Sequence, residues 1–189
     1  MVRMMLMGSL CLSLAAYAEL PQAAGWIRAG SHRDKYDMGV DATVFMSGKA
    51  SGVIRTRADS PTEGFGTYMQ MVPVGDYAGK RVRLTAFLKT KDVETAALWF
   101  RVDRGQESVA FDNMGDRPLK GTTKEWTRMF IVLDVPADAD RLAFGVLLES
   151  NKGTVWFDDF KFEVVDKTVP LTGGERAAAP ANLGFETTK

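Results

Sequence analysis

Apolar and polar residues alternate along most of this chain, in short runs separated by Gly, Pro, Asn and Asp. Alternation with a period of two is typical of β-strands that have one face in a hydrophobic core. Four aliphatic residues of Lys80–Thr90 follow this pattern: Val82, Leu84, Ala86 and Leu88. About nine such runs, without a convincing helical period after the first residues, predict an all-β protein. We therefore expect an antiparallel two-sheet β-sandwich of the jelly-roll, galactose-binding-like kind.

The stretch Ala97–Pro118 combines such a strand with a polar loop. Leu98, Phe100 and Val102 share one face, which is predicted to be core. Trp99, Arg101 and Asp103 share the other face. An aromatic ring beside hydrogen-bonding groups is a common way to hold a sugar or another polar ligand. This face is therefore the predicted binding face.

Neighbouring segments add polar groups to this prediction. Phe65–Val72 also alternates. Met69 and Met71 are predicted in the core, and Tyr68 and Gln70 on the Trp99 side. The predicted ligand-binding residues are Trp99, Arg101, Asp103, Tyr68, Gln70, Asp112, Asn113 and Arg117. One alternative stays open: Trp99 packs beneath the Asp112–Arg117 loop, and Arg101 with Asp103 forms a structural cross-strand pair.

The segment TVWFDDFKFEVV suggests a metal site. Trp156, Asp158 and Phe160 fall on one parity, so Asp158 is predicted in phase with core residues. An unpaired buried charge costs several kcal/mol, so this carboxylate needs a partner. A structural Ca²⁺ bound by Asp158 and loop carbonyls would provide one. The alternatives are a carboxylate that caps backbone N–H groups or pairs with Lys or Arg. Trp126 and Trp156 are expected in the core, since they begin apolar strands.

The first eighteen residues have the pattern of a secretory signal. Arg3 precedes the apolar run Met4–Ala15, and Ala16-Tyr17-Ala18 is a small-x-small cleavage site. The run is too short for a comfortable membrane span, so none is expected after cleavage. A buried N-terminal helix is the alternative. The sole cysteine, Cys11, lies in this segment, so the remaining chain has no disulfide. We predict a secreted or periplasmic protein.

Three regions follow from this organisation: a signal peptide at 1–18, a β-sandwich domain at 19–165, and a linker-like tail at 166–189. The tail is rich in Ala, Pro and Gly. An apolar pair returns within Asn182–Glu186. This pair is compatible with an edge strand that docks on the sandwich and equally with a free end.

Charge and motif content exclude several functions. Lys plus Arg equals Asp plus Glu at 24 each, whereas nucleic-acid binders normally carry a basic excess, so no nucleic-acid partner is expected. Nucleophile-elbow, zinc-protease and phosphate-loop motifs are absent, and one histidine excludes most catalytic triads. The protein is predicted not to be an enzyme. A small glycoside hydrolase remains the third interpretation, using Asp103 with Asp112 or Asp112 with Asp116.

Four segments carry a family resemblance: SGKASGVIR, GKRVRLTAFLKT, KEWTRMFIVLDVP and VWFDDFKFEV. Their order resembles the carbohydrate-binding-module type of galactose-binding-like jelly roll, found as accessory domains of bacterial glycoside hydrolases. The resemblance covers roughly Trp26 to Val165. It implies a two-sheet sandwich, often with one structural Ca²⁺, that binds glycans on a concave face or at loop ends.

The chain departs from this family at its beginning. Such modules usually start with an Asn-x-x-Phe-Glu-like strand that helps to hold the metal, and here a similar string, Asn182–Glu186, lies near the other end. Either the tail folds back or the string belongs to a following module. The leading prediction is an exported, non-catalytic, carbohydrate-binding module. The alternative is a protein-interaction or envelope-structural sandwich, which a flat apolar surface around Trp99 would favour.

Overall fold

The computed structural model describes residues 19–57 and 63–173. The predicted signal peptide at 1–18 and the Asn182–Glu186 string lie outside these residues. The described residues form eleven β-strands and two 3₁₀ turns, Arg33–Lys35 and Gly75–Tyr77, and they contain no α-helix. No helix among them is long and apolar enough to cross a membrane.

The strands follow one another in this order: β1 Ile27–Ala29, β2 Tyr36–Asp41, β3 Ser51–Thr56, β4 Gly66–Pro73, β5 Arg81–Lys91, β6 Val93–Arg104, β7 Glu107–Asp112, β8 Leu119–Gly121, β9 Thr127–Asp134, β10 Arg141–Glu149 and β11 Thr154–Val165. They form two sheets. The six-stranded sheet has the order β1-β4-β10-β6-β7, with β8 also paired to β6. The five-stranded sheet has the order β2-β3-β11-β5-β9, and the strand pairs in both sheets are antiparallel. The predicted antiparallel two-sheet β-sandwich is confirmed.

The core lies between the inner faces of the two sheets. The predicted inner residues of β5, together with Leu98, Phe100 and Val102 of β6, are fully buried there. Burying these side chains supplies the main driving force for folding. Each sheet also has an outer face, on which the alternate residues of every strand lie. These two outer faces differ in chemistry.

Strand β4 has the opposite orientation to the one predicted. Tyr68 faces the core and is 1% exposed, whereas Met71 lies on the outer face and is 44% exposed. Met69 shares that outer face, since it pairs in register with Gly145 of β10 and Ile27 of β1. Because both faces of β4 carry apolar residues, alternation alone did not show which face was core.

A β-bulge in β11 explains a second correction. The register with β5 shifts between Asp158 and Lys161, and Asp159 has a φ of 52°. One extra residue reverses which face the following side chains occupy. Trp156 and Asp158 therefore lie on the outer face, whereas Phe160, after the shift, packs against the core. The predictions that placed Trp156 and Asp158 in the core are wrong.

Segments at both ends of the described chain pack on the five-stranded sheet. Val40 N donates to Pro21 O at 2.8 Å, beside the edge strand β2. On the other edge, Val132 N of β9 donates to Thr172 Oγ1 at 2.8 Å. Arg81 also donates to the carbonyl oxygen of Val169 at 2.7 Å. The ordered sandwich therefore extends beyond Val165, into the start of the predicted tail.

Candidate functional site

Trp99 lies on the outer face of the six-stranded sheet but is only 7% exposed. Its Nε1 donates to Thr67 Oγ1 at 2.8 Å. Thr67 is on β4, so the indole crosses the intervening strand β10 where Gly145, the register partner of Trp99, has no side chain. Met69 and Ala143 complete this small apolar cluster. The burial contradicts the predicted stacking role of Trp99.

Arg101 and Asp103 pair with each other on the same outer face. Arg101 Nε lies 2.8 Å from Asp103 Oδ1, and Nη2 donates to Oδ2 at 3.0 Å. Asp103 is 6% exposed, so its charge depends on this two-point contact. The pair is structural, as the alternative proposed, although it joins residues of one strand.

The Asp112–Arg117 loop satisfies most of its own polar groups. Met114 N donates to Asp112 Oδ1 at 2.8 Å, and Gly115 N donates to Asn113 Oδ1 at 3.2 Å. Arg117 binds the Asp112 carboxylate and also donates to Asp116 Oδ1 at 2.8 Å. These bonds are typical of a self-capped turn.

Tyr68 and Gln70 line a different feature, a cavity of about 540 Å³ at one end of the sandwich. Its walls include the rings of Trp26, Phe144 and Phe157. The Tyr68 hydroxyl accepts a hydrogen bond from Ala23 N at 2.8 Å. Because Tyr68 faces the core and Trp99 faces outward, β4 and β10 separate them. The predicted ligand-binding residues therefore do not form a single surface.

Asp158 caps backbone N–H groups. Its Oδ2 accepts from Met46 N at 2.9 Å and Ser47 N at 3.1 Å, and its Oδ1 accepts from Asp159 N at 2.9 Å. No group of three His, Cys, Asp or Glu side chains able to hold a metal occurs in residues 19–57 and 63–173. Both carboxylate oxygens of Asp158 thus accept N–H bonds, the arrangement described by the capping alternative.

The outer face of the five-stranded sheet carries a groove of about 530 Å³, here called the outer groove. Strand β5 forms its floor, β9 one side, and the bulged part of β11 the other. Its lining residues are Arg83, Thr85, Phe87, Arg128, Asp159, Phe160, Lys161 and Glu163. The groove therefore combines aromatic rings with charged groups of both signs.

Thr85 in the floor of the groove has an unsatisfied side chain. The residue is 5% exposed, and within the described parts of the chain its Oγ1 has no hydrogen-bond partner. A buried hydroxyl left unpaired costs about 1–3 kcal/mol. A hydroxyl both donates and accepts, so a ligand hydroxyl would be a suitable partner once the side chains that cover Thr85 move aside.

Three aromatic residues cross this outer face on one diagonal. Trp156 of β11 pairs in register with Lys89, and Phe130 of β9 pairs with Thr85, so Phe87 of β5 lies between the two rows. Diagonal neighbours on adjacent strands are about 7–8 Å apart. Phe87 and Phe130 are therefore diagonal neighbours, whereas the Trp156 indole extends to the other side of β11, toward Asp41 on β2.

Trp156 is held in place by Asp41. The indole Nε1 donates to Asp41 Oδ2 at 2.9 Å, and Arg55 Nη2 approaches the same oxygen at 2.5 Å. Burial of Asp41 opposes ionisation, but hydrogen bonds from Thr43 and Trp156 and the charge of Arg55 outweigh it. These contacts hold the pKa of Asp41 well below its usual value.

Charged side chains border the groove. Glu163 lies 3.1 Å from Arg83 Nη2 and 2.8 Å from Lys161 Nζ. These hydrogen bonds, first from Lys161 and then from Arg83, lower the pKa of Glu163. Arg128 is exposed, and its guanidinium carbon lies 5.6 Å from the centre of the Phe130 ring. Sequence reasoning missed the groove, although Phe87 and Phe130 alternate with apolar core residues.

The carboxylates that could have supported hydrolysis are already engaged. Asp103 pairs with Arg101, and both Asp112 and Asp116 bind Arg117. Glycoside hydrolysis needs two carboxyl groups facing each other across the substrate. The predicted pairs do not provide that arrangement.

Sequence comparison identifies one informative relative. No protein-family model matches the chain. It is 44% identical over 168 residues to the uncharacterized HTH-type transcriptional regulator YbfP of Bacillus subtilis (strain 168). The match covers 86% of this chain and 56% of that protein. The described residues contain no α-helix, and hence no helix-turn-helix.

Structural comparison identifies the fold. The enzymatically active domain of bacteriophage CBA120 tailspike protein 4 matches with a TM-score of 0.57 and 17% identity, covering 75% of this chain and 20% of that one. The CBM22-1 xylan-binding domain of Paenibacillus barcinonensis Xyn10C matches with a TM-score of 0.54 and 18% identity, covering 78% of this chain and 90% of that one. At these identities the likeness shows the fold alone. The predicted resemblance is thereby confirmed, and the chain has the jelly-roll fold of carbohydrate-binding modules.

Proposed function

We propose that this protein is a non-catalytic module that binds carbohydrate in the outer groove. The observation that carries the proposal is the buried, unpartnered hydroxyl of Thr85, between Phe87 and Phe130 and beneath charged side chains. Ligand sites commonly combine apolar ring surfaces with a few placed polar groups. A sugar has both complementary features, a C–H face and a set of hydroxyls.

The fold supports this proposal. A xylan-binding domain shares the fold along 90% of its own length. The groove lies on an open sheet face, so an extended chain could cross it past Phe87 and the neighbouring Phe130. Arg83 and Glu163 would bind hydroxyls at the side of the groove, because together they offer donors and acceptors.

A pair of matched variants tests the proposal. Phe130 and Phe111 are each 42% exposed, Phe130 beside the groove and Phe111 on the outer face of the six-stranded sheet. We expect Phe130→Ala to weaken polysaccharide binding roughly tenfold, as for a ring in a binding hot spot. Phe111→Ala should bind as the unchanged chain does. Affinity electrophoresis in xylan, glucuronoxylan, galactan and arabinan gels would measure both.

Either of two results would overturn the groove assignment. One is binding lost in Phe111→Ala and retained in Phe130→Ala, which would move the ligand to the sheet face around Trp99. The other is the absence of binding to every polysaccharide in the panel. Circular dichroism of both variants checks that each remains folded.

A second candidate function is the ligand-sensing part of a transcriptional regulator. It is favoured by the 44% identity with an uncharacterized HTH-type transcriptional regulator, of which the match covers 56%. This candidate and the export signal at 1–18 place the chain in different compartments. We propose export, as the signal pattern predicts. Cell fractionation with N-terminal sequencing distinguishes the two: a chain that begins at Glu19 outside the cytoplasm supports export, and an intact cytoplasmic chain supports the sensor.

A further inference from the structure

We infer that the outer groove selects acidic glycans and that Arg128 binds the sugar carboxylate. This inference rests on the proposed function and specifies its ligand. The argument begins with the balance between paired and unpaired charges on the outer face of the five-stranded sheet.

The carboxylates of this face all have partners. Glu163 binds Arg83 and Lys161, and Asp41 binds Arg55 and Trp156. Asp158 accepts N–H bonds from Met46 and Ser47, and Asp159 Oδ1 accepts from the Ser47 hydroxyl at 2.6 Å. Asp134 pairs with Arg81 at 2.8 Å. The face therefore presents little uncompensated negative charge to a ligand.

Three cations of the same face, Arg128, Lys89 and Lys91, form no ion pair among the described residues. Across residues 19–57 and 63–173, neither Arg128 nor Lys89 makes a hydrogen bond or ion pair through its side chain. Both flank Phe87: Arg128 is its register partner on β9, and Lys89 follows two residues later on β5. The unpaired charge around the central ring is therefore positive.

Arg128 is placed to contact a sugar that stacks on these rings. Its guanidinium carbon lies 5.6 Å from the Phe130 ring centre, and Phe130 faces Thr85 across the groove floor. A guanidinium offers two parallel N–H donors that match a carboxylate. A uronic acid unit that packs beside Phe130 would thus place its carboxylate within reach of Arg128.

The test compares two polysaccharides that differ only in charge: glucuronoxylan, and the same polymer after reduction of its uronic carboxyl groups. Isothermal titration of the full chain should give tighter binding to glucuronoxylan, by roughly tenfold for one charge-assisted contact. Arg128→Gln should remove the preference, so that the variant binds the two polymers with equal affinity. Arg33→Gln is the matched control, because Arg33 is also exposed and lies outside the groove.

The outcomes separate this inference from the proposed function. Equal binding of both polymers, or an intact preference in Arg128→Gln, would overturn the inference. Neither result would contradict the proposed carbohydrate-binding function. A protein that binds neither polymer, and that also fails to bind polygalacturonate and neutral xylan, would overturn both the inference and the proposed function. Salt gives an independent check: the preference should shrink between 0.01 and 0.3 M NaCl, roughly a fivefold shortening of the screening length. A preference that salt leaves unchanged would contradict a role for charge.

Discussion

Trp99 and Trp156 have comparable positions on the outer faces of the two sheets. Each indole crosses one neighbouring strand and donates its N–H to a polar residue two strands away, Trp99 to Thr67 and Trp156 to Asp41. Trp99 is 7% exposed, whereas Trp156 is half-buried. The same side chain in the same geometry thus has two different environments.

The neighbours account for the difference. Around Trp99 lie Met69 and Ala143, so the indole packs in a small apolar cluster, and the exposed residues of that face include Met71 and Phe111. Trp156 instead bonds a carboxylate and lies on the face that holds the outer groove. An aromatic residue on an outer strand position therefore does not by itself indicate a ligand site. Unpaired polar groups beside it are the more informative sign.

The largest expected effect is on stability, from Trp99→Ala. Replacing a buried tryptophan with alanine typically costs about 3–5 kcal/mol, because packing is lost and a cavity remains. The free energy of unfolding, measured by urea denaturation, should fall by about that amount. Polysaccharide binding by the remaining folded protein should be unchanged.

Trp99→Phe is the milder control, since it keeps a ring but loses the bond to Thr67. It should cost less than the alanine variant. A Trp99→Ala protein of normal stability that no longer binds any glycan would reverse the comparison and restore the binding role predicted for Trp99.

Gly145→Ala should have the next largest effect. A Cβ added at Gly145 would lie 2.4 Å from the Tyr68 carbonyl oxygen and 2.8 Å from Met69 Cα, too close without movement of β4 or β10. Overpacking of this kind typically costs about 1–3 kcal/mol. Thermal denaturation followed by tryptophan fluorescence would show both the lower melting temperature and any displacement of Trp99. Gly115→Ala, at a turn where the nearest neighbour is 3.3 Å away, is the control.

Asp41→Asn tests the contacts of Trp156 on the other face. It should lower the free energy of unfolding by about 1–3 kcal/mol, because the hydrogen bonds to a charged carboxylate become weaker. Because the folded pKa of Asp41 is lowered, its ionised form stabilises the fold above the unfolded pKa, about 3.9. That contribution is lost as pH falls below this value toward the folded pKa. Urea unfolding should therefore show that Asp41→Asn loses less unfolding free energy between pH 7 and pH 3 than the unchanged protein does. Equal acid losses in both proteins would contradict the role of Asp41.

Part of this fold could be predicted from the sequence because strand alternation is a local property. β5 and β6 alternate cleanly, and both were assigned the correct inner face. The inner face of β4 is predicted wrongly, because its outer face is also apolar there: Met69 packs against Trp99. The inner face of β11 is also predicted wrongly, because the bulge at Asp159 reverses the face on which the following side chains lie and no clear feature of the sequence marks it.

The candidate site was less predictable, because it depends on which strands are neighbours. Phe87, Phe130 and Trp156 are far apart in the chain, and only the order β11-β5-β9 places them on one diagonal. By contrast, Trp99, Arg101 and Asp103 are close together in the sequence and share one face of a predicted strand, so they form an obvious candidate site. Arg101 and Asp103 form an ion pair on one strand, a contact that alternation alone does not separate from a ligand site.

Thr85→Val should have the smallest effect on stability, and with the opposite sign. Valine has nearly the same shape as threonine and suits a strand, and it removes a buried hydroxyl that has no partner among the described residues. The variant should gain roughly 1 kcal/mol of unfolding free energy, because the desolvation cost of that hydroxyl disappears. If the hydroxyl serves a ligand, glycan binding should weaken in the same variant. Thr90→Val is the matched control, since Thr90 Oγ1 is also buried and unpartnered but lies outside the groove. Thr90→Val should gain stability without losing affinity, so equal binding by the two variants would show that the Thr85 hydroxyl has no role in the groove.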